Sequence, residues 1–251
     1  MTSRIILETH DLTKDFNGFS AVSRVNLRVE RGHIHALIGP NGAGKTTVFG
    51  LLTKFLTPTA GKIIYNGVDI TKNKAAEIAK LGVVRSFQIS AVFPNLTVLE
   101  NVRVALQRKL GNSFHFWKSN KILRRLDDRA MELLIDVGLG DFASETTSEL
   151  AYGRKRALEI AATLALEPEL MLLDEPTQGM GIEDVGKITS LIKKVSASRT
   201  ILMVEHNLNV VSTLADKITV LQRGAVLTEG TYVEVSNDPQ VLEAYMGGAH
   251  A

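Results

Sequence analysis

The sequence predicts an α/β fold built around a parallel sheet, and three observations carry this prediction. Two apolar runs, residues 170–173 and 200–204, contain no alternating polar residues, which is typical of strands buried on both faces. A third apolar run, residues 34–38, leads into a glycine-rich loop that a helical segment follows. Strands that alternate with helices in this way favour a doubly wound sheet.

Length and composition narrow the possible classes of protein. A chain of 251 residues can form one large α/β domain, or a core with a subdomain. The net charge of +2 gives no electrostatic argument for nucleic acid, and we expect no nucleic-acid partner. The absence of cysteine excludes disulfides and thiolate metal sites. No signal-peptide core or membrane-spanning apolar stretch is evident, so any membrane role is expected to come through a partner.

The glycine-rich loop fits the pattern G-x-x-x-x-G-K-S/T of phosphate-binding loops. Glycines let the backbone curve around phosphate oxygens, and the N–H groups of the following helix attract an anion. We expect Lys45 to reach the β- and γ-phosphates and the Thr46 hydroxyl to ligate Mg²⁺. The alternative is a chance glycine-rich turn, against which the preceding strand and following helix argue. The predicted nucleotide-binding residues of the loop are Gly39, Pro40, Asn41, Gly42, Ala43, Gly44, Lys45, Thr46 and Thr47.

Polar side chains follow the buried strands where each strand ends. Asp174 and Glu175 follow one apolar run, and His206 lies just beyond the other. The carboxyl ends of parallel strands form the edge of the sheet at which ligands bind. There Asp174 would hold Mg²⁺, Glu175 would orient or deprotonate a water, and His206 would donate to a γ-phosphate oxygen. The alternatives are two carboxylates that cap the next helix and a structural histidine.

Two single residues have weaker support. Phe16 lies upstream of the loop in a β-rich N-terminal segment, where it would stack on an adenine or serve as a plain core or hairpin aromatic. Gln88 ends a predicted strand, residues 82–88. Its amide would reach a metal ion or a water near the phosphates, and the alternative is a solvated loop glutamine.

A mostly helical insertion is predicted over residues 89–165. Thr97 and Glu100 form a capping box at the start of one helix. Residues 121–137 have helical apolar periodicity, and their basic face is interpreted as solvated rather than as a nucleic-acid surface. A further helix is expected over residues 155–166. It follows a glycine-containing motif that would bind an anion, formed by Ala151, Tyr152, Gly153 and Arg154.

In chain order, these motifs resemble those of the ATPase domain of ABC transporters, and the resemblance spans essentially the whole chain. It implies a single domain with a P-loop NTPase core and an N-terminal antiparallel β subdomain (residues 1–88 and 166–251), and an inserted helical subdomain (residues 89–165). The matching residues are Phe16 for the adenine-stacking aromatic, Gly39 to Thr46 for Walker A, Gln88 for the Q-loop, Ala151, Tyr152, Gly153 and Arg154 for the signature, Asp174 for Walker B, Glu175 for the catalytic glutamate and His206 for the switch histidine.

Finer details resemble the ATPases of branched-chain amino acid importers and their amide and urea relatives. They lie in residues 85–88, 93–101, 158–161 and 237–247. The resemblance implies ATP and Mg²⁺ as cofactors and a second ATPase subunit, in a homodimer or heterodimer, whose ATP the signature contacts. It also implies two integral-membrane permease subunits, a periplasmic solute-binding protein that acts indirectly, and a peripheral location on the cytoplasmic face of the inner membrane.

Three positions depart from the family pattern. Ala151 replaces the usual signature serine, Arg154 replaces a glutamine, and Gly181 replaces an aspartate or asparagine in the loop after Walker B. These departures imply that one of the two composite ATP sites is weaker than the other. Two rival functions stay open: a soluble ABC ATPase that acts on ribosomes, DNA or cluster assembly without a permease, and a P-loop kinase, which explains neither the signature nor His206.

Overall fold

The computed structural model describes residues 4–86, 92–108 and 120–246, without the side chains of 120–125 and 246. The chain divides into two compact units. The first contains Met1–Arg85, Glu169–Pro176 and Ile192–Ala251, and the second contains Ser86–Pro168 and Thr177–Leu191. The predicted strand-end residue Gln88 lies outside the described residues, so its roles stay predictions.

The strands follow the predicted order along the chain. They are β1 (Ile5–Phe16), β2 (Phe19–Val25), β3 (Arg28–Glu30), β4 (Ile34–Ile38), β5 (Ala60–Tyr65), β6 (Val68–Asp69), β7 (Val83–Ser86), β8 (Leu170–Asp174), β9 (Thr200–Val204), β10 (Lys217–Gln222) and β11 (Ala225–Gly230). The helices are α1 (Lys45–Leu52), α2 (Ala75–Lys80), α3 (Val98–Gln107), α4 (Asn120–Asp136), α5 (Tyr152–Leu164), α6 (Ile182–Ser196), α7 (Leu208–Leu214), α8 (Tyr232–Ser236) and α9 (Pro239–Met246).

A six-stranded sheet with the order β11-β10-β4-β9-β8-β7 positions the motifs. Strands β10, β4, β9 and β8 are parallel, with Ile34 opposite Ile201 and Asp174 opposite Val204. Every residue of β4, β8 and β9 is buried, as their uninterrupted apolar sequences predict. The carboxyl ends of these neighbouring strands therefore lie at one edge of the sheet, directly before the polar residues of interest.

The N-terminal residues form a five-stranded antiparallel sheet, with the order β2-β1-β5-β6 and with β3 paired to β1. Two boundaries differ from the prediction. The alternation of apolar and polar residues over 4–7 predicts a short strand, but β1 continues to Phe16, because register shifts let it pair with several partners. The same alternation over residues 21–30 predicts one strand, but the structure has two, and Arg24 near the break has a φ of 49°.

The described part of the second unit is helical, and it contains α3, α4, α5 and the first part of α6. Thr97 caps α3 by accepting from the Glu100 N–H at 3.2 Å, and Glu100 accepts from the Thr97 N–H, so the predicted capping box is confirmed. Helix α5 begins at Tyr152, three residues earlier than predicted, so the glycine motif lies within its first turn. Among the described residues, no helix is long and apolar enough to span a membrane.

Candidate active site

The phosphate loop is fixed by contacts that exclude any side chain at two of its glycines. Gly39 directly follows β4 with a φ of 145°, and a Cβ there would lie 2.1 Å from the Leu221 carbonyl oxygen. Gly44 has a φ of 98°, and its Cβ would lie 2.6 Å from the Ala21 carbonyl oxygen. Both positions combine a left-handed backbone with a close backbone neighbour, so only glycine fits.

The start of α1 is arranged to attract an anion. The helix begins at Lys45 without a side-chain cap, and no acidic residue lies in its first turn. Its first N–H groups and the positive end of its dipole therefore meet no negative charge from the helix itself. Thr46, predicted to ligate Mg²⁺, is exposed and Thr47 is half-buried. Ahead of them, Asn41 and Gly42 are exposed, Pro40 is half-buried and Ala43 is buried.

The Lys45 ammonium lies within the loop. Its Nζ donates to the carbonyl oxygens of Gly39 at 2.7 Å and Pro40 at 2.9 Å. Burial lowers the pKa of Lys45, and the charges of Glu175 and Asp174 oppose that shift. The parallel neighbours β4, β9 and β8 place the phosphate loop and the strand-end acids at the same edge of the sheet.

Asp174 ends β8 with its side chain almost fully buried, and it forms an ion pair with Arg85 of β7. The Arg85 guanidinium also lies 5.9 Å from the centroid of the Phe49 ring in α1. From the sequence, Asp174 is expected to hold Mg²⁺ or to cap the next helix, and Arg85 has no expected role. An arginine inside a predicted buried strand was the available signal, because buried charges require a partner.

Glu175 and His206 lie close together at the ends of β8 and β9. His206 Nδ1 is 3.9 Å from Glu175 Oε1 and 3.8 Å from Glu205 Oε2. Glu175 has a φ of 45°, and its N–H donates to the Val204 carbonyl at 2.9 Å, so the neighbouring strand fixes this strained turn. The alternative in which Asp174 and Glu175 cap the next helix is wrong, since α6 begins only at Ile182.

Glu205 is a supporting residue that the sequence did not predict. Its side chain is fully buried, and Oε2 accepts from the His206 N–H at 2.8 Å and the Asn207 N–H at 3.4 Å. These bonds hold the backbone that carries His206. A carboxylate that directly follows a buried strand was the same signal that identified Asp174 and Glu175.

Phe16 lies at the hairpin end of β1, opposite Phe19. Its ring is 42% exposed, and Lys14 Nζ lies 4.9 Å from the ring centroid, so the core-aromatic alternative is wrong. Strand β2 of the same hairpin brings Ala21 against Gly44 of the phosphate loop. Adenine stacking and the plain hairpin role both remain compatible with this position.

The C-terminal helix also reaches the phosphate loop. Burial raises the pKa of the Tyr245 hydroxyl in α9, and a hydrogen bond from the backbone of Gly39 opposes that shift. The sequence predicts a short helical region with no chemistry of its own over residues 235–246, and α9 confirms its helical character. Sequence spacing gives no signal for a contact between residues so far apart.

The four signature residues belong to the second unit. Ala151 immediately precedes α5, whose first turn has no side-chain cap, and Tyr152 is 56% exposed. Gly153 is buried against Asp184 of α6, and the Arg154 guanidinium lies 3.9 Å from the Phe142 ring centroid. The motif therefore presents an open helix N-terminus, while Arg154 is held by an aromatic ring.

Comparison with known proteins agrees with this arrangement. The model of the family described as ABC transporter matches residues 22–178, and that of the branched-chain amino acid ATP-binding cassette transporter matches residues 225–251. The high-affinity branched-chain amino acid transport ATP-binding protein BraF of Pseudomonas aeruginosa is 40% identical, covering 98% of this chain and 100% of the relative. LivG of Escherichia coli, which has the same description, is 38% identical with the same coverage.

A solved structure has the same fold. The ADP conformation of an ATP-binding cassette of an ABC transporter superposes with a TM-score of 0.86 at 28% identity, covering 98% of this chain and 100% of that one. The predicted α/β fold class is thereby confirmed, and the P-loop kinase alternative is wrong. From its fold, its motifs and these matches, the chain belongs to the family of ABC transporter ATP-binding cassettes.

Proposed function

We propose that this chain is the ATP-hydrolysing subunit of an ABC importer for branched-chain amino acids or related small polar solutes. The observation that carries the proposal is that the phosphate loop, Asp174, Glu175 and His206 follow the carboxyl ends of three neighbouring parallel strands, with His206 Nδ1 3.9 Å from Glu175 Oε1. The names of the relatives support the solute class, since BraF and LivG are described as branched-chain amino acid transport proteins.

In the proposed reaction the loop holds the phosphates of ATP. Backbone N–H groups from Gly39 to Thr47 and the Lys45 ammonium bind the phosphate oxygens. Glu175 orients the attacking water and accepts its proton, and His206 donates a hydrogen bond to the γ-phosphate. Phe16 stacks on the adenine. The 3.9 Å separation of Glu175 and His206 lets both act on one phosphate and its water.

The side chains around the loop fit Mg²⁺. Among the described residues no three His, Cys, Asp or Glu side chains form a metal cluster. A hydroxyl from Thr46, the Asp174 carboxylate and phosphate oxygens form the oxygen-rich set that Mg²⁺ prefers, with Gln88 as a further proposed ligand. Mg²⁺ would neutralise charge that develops on the phosphates.

The proposed assembly has two ATPase subunits beneath two integral-membrane permeases, at the cytoplasmic face of the inner membrane, with a periplasmic solute-binding protein supplying the solute. Ala151, Tyr152, Gly153 and Arg154 of one subunit would contact ATP bound by the other through the N–H groups at the start of α5. Ala151 lacks the usual serine hydroxyl, and Arg154 adds a positive charge. We therefore propose that the two composite ATP sites of a heterodimer hydrolyse ATP at different rates, because this chain's signature completes one site and the partner subunit's signature completes the other.

The Glu175→Gln variant tests the catalytic assignment. We expect steady-state ATP hydrolysis to fall at least about 100-fold, because a general base typically contributes that much, while ATP binding persists. Glu243→Gln changes an exposed carboxylate and is the matched control, with turnover near that of the unmodified chain. Turnover of Glu175→Gln equal to the control would show that Glu175 is not the base.

Co-purification tests the transport assignment. The tagged chain is isolated in mild detergent from its native membranes, and its companions are identified. Two polytopic permeases and an ATPase subunit would support the importer, and uptake of labelled leucine by proteoliposomes of that complex would establish the solute. Recovery only in the soluble fraction, with ribosomes or alone, would favour the soluble ABC ATPase instead.

A further inference from the structure

A cavity of about 380 Å³ lies within the second unit, beside the signature. The segment that follows α4, the start of α5 and the first turns of α6 surround it. Its apolar lining includes Val137, Phe142, Ala157, Ile188 and Leu191. This volume is at the lower end of the range for small-molecule sites, which suits a compact ligand.

Opposite charges line the same cavity. Arg154 stacks on Phe142, and within the described part of the chain it forms no ion pair. The Asp184 carboxylate packs against Gly153, next to Arg154 in sequence. Lys187 also lines the cavity, and among the described residues its Nζ is 4.0 Å from Asp184 Oδ1 but only 2.7 Å from Glu183 Oε1. A cation and an anion therefore border an apolar space without being paired to each other.

The phosphate loop has no comparable arrangement, because it presents backbone N–H groups and one ammonium to a polyanion. The cavity instead offers an apolar surface, the Arg154 guanidinium and the Asp184 carboxylate, while the Lys187 ammonium that also lines it is neutralised by Glu183 at 2.7 Å. A phosphate ligand would be repelled by Asp184, and a plain hydrocarbon would leave both charges without partners. A small zwitterion with an apolar side chain satisfies all three features, because charge-assisted hydrogen bonds form at both of its ends.

We propose that this cavity is a binding site for a free α-amino acid with an apolar side chain. The ligand carboxylate bonds to the Arg154 guanidinium, its ammonium bonds to the Asp184 carboxylate, and its side chain packs on the apolar lining. The choice of amino acid class rests on the proposed function, since it is the class that the transporter would import. The site would give the ATPase subunit a direct contact with the imported solute.

Calorimetric titration of the purified full-length chain tests the proposal. L-Leucine is compared with 3-methylbutylamine, which lacks the carboxylate, and with 4-methylpentanoate, which lacks the ammonium. We expect leucine to bind and each analogue to bind at least about tenfold more weakly, because each leaves one charged group without its partner. No binding of leucine at millimolar concentrations, or equal binding of all three compounds, would overturn the proposal.

A matched pair of variants locates the site. Asp184→Asn should weaken leucine and 3-methylbutylamine at least about tenfold but leave 4-methylpentanoate unchanged, because only the ammonium contact is lost. Asp128→Asn changes an exposed carboxylate of α4 that does not line the cavity, and should leave all affinities unchanged. Unchanged leucine affinity in Asp184→Asn would place any binding elsewhere.

This outcome is separable from that of the proposed function. Leucine uptake by the reconstituted complex together with no leucine binding by the purified chain would refute only the cavity proposal. The opposite result is also possible: the purified chain binds leucine, with the expected weakening for both analogues and for Asp184→Asn, but the complex imports another solute. That result would refute only the proposed transport substrate.

Discussion

Two glycines in different units meet a close neighbour in different ways. A Cβ on Gly39 of the phosphate loop would lie 2.1 Å from a backbone carbonyl oxygen, while one on Gly153 of the signature would lie 2.7 Å from the Asp184 side chain. A backbone in a buried sheet cannot move aside, but a side chain can change rotamer. The phosphate loop therefore tolerates no side chain at Gly39, whereas a side chain at Gly153 could be accommodated if Asp184 moved or were substituted.

The largest expected effect is that of Gly39→Ala. The substitution combines a φ of 145° with an overlap against the Leu221 carbonyl. We expect a loss of stability of about 4 kcal/mol or more, together with loss of ATP binding. Thermal unfolding and titration with a fluorescent ATP analogue measure both. The control is Gly42→Ala, where the φ of 77° causes strain but a Cβ would meet nothing within 4 Å. Similar losses in the two variants would contradict the role of the Leu221 contact.

Arg85→Met tests whether buried charges also constrain the first unit. The substitution leaves the buried Asp174 carboxylate without its arginine partner. Loss of one member of a buried ion pair destabilises by about 3 kcal/mol or more. Urea unfolding in the absence of nucleotide measures the change, and Arg85→Met with Asp174→Asn should recover part of it. Arg4→Met removes an exposed ion pair with Glu30 and should have a much smaller effect.

The pH dependence of stability tests the strand that leads into the phosphate loop. Burial of His35 in β4 lowers its pKa from 6.5 to about 4, and its Nε2 lies 2.8 Å from Thr219 Oγ1. The folded chain thus favours neutral His35. At pH values between the folded pKa of about 4 and the unfolded pKa of 6.5, the unfolded chain binds more protons than the folded chain. Stability is full above the unfolded pKa and falls as pH decreases toward 4, by about 2 kcal/mol from pH 7 to pH 5.

Urea unfolding at the two pH values, for the unmodified chain and for His35→Gln, measures this contribution. The variant should flatten the pH dependence, whereas His10→Gln, which changes a half-exposed histidine, should not. If the free energy of unfolding changes equally with pH in the unmodified chain and in His35→Gln, the burial of His35 is not the cause of the pH dependence.

The sequence predicted most of the first unit because apolar runs and turn glycines act locally. Strand β9 has the predicted bounds, and β8 differs by one residue. Contacts between distant residues were not predictable, since Arg85 and Asp174 are 89 positions apart and pattern analysis examines short windows. The predicted start of α5 was three residues too late, because a glycine normally disfavours a helix. The packing of Gly153 against Asp184 explains why a glycine occupies the first turn of this helix.

Gly153→Ala is the smallest expected effect and the sharpest test of the comparison. Alanine favours a helix over glycine by about 1 kcal/mol, which offsets the cost of moving the Asp184 carboxylate. We expect stability within about 1 kcal/mol of the unmodified chain, and a gain in stability when Asp184→Ala is added, because the obstruction is then absent. Thermal unfolding of the two variants measures this. A loss for Gly153→Ala as large as that of Gly39→Ala, not recovered by Asp184→Ala, would mean that the backbone confines the signature as tightly as the phosphate loop.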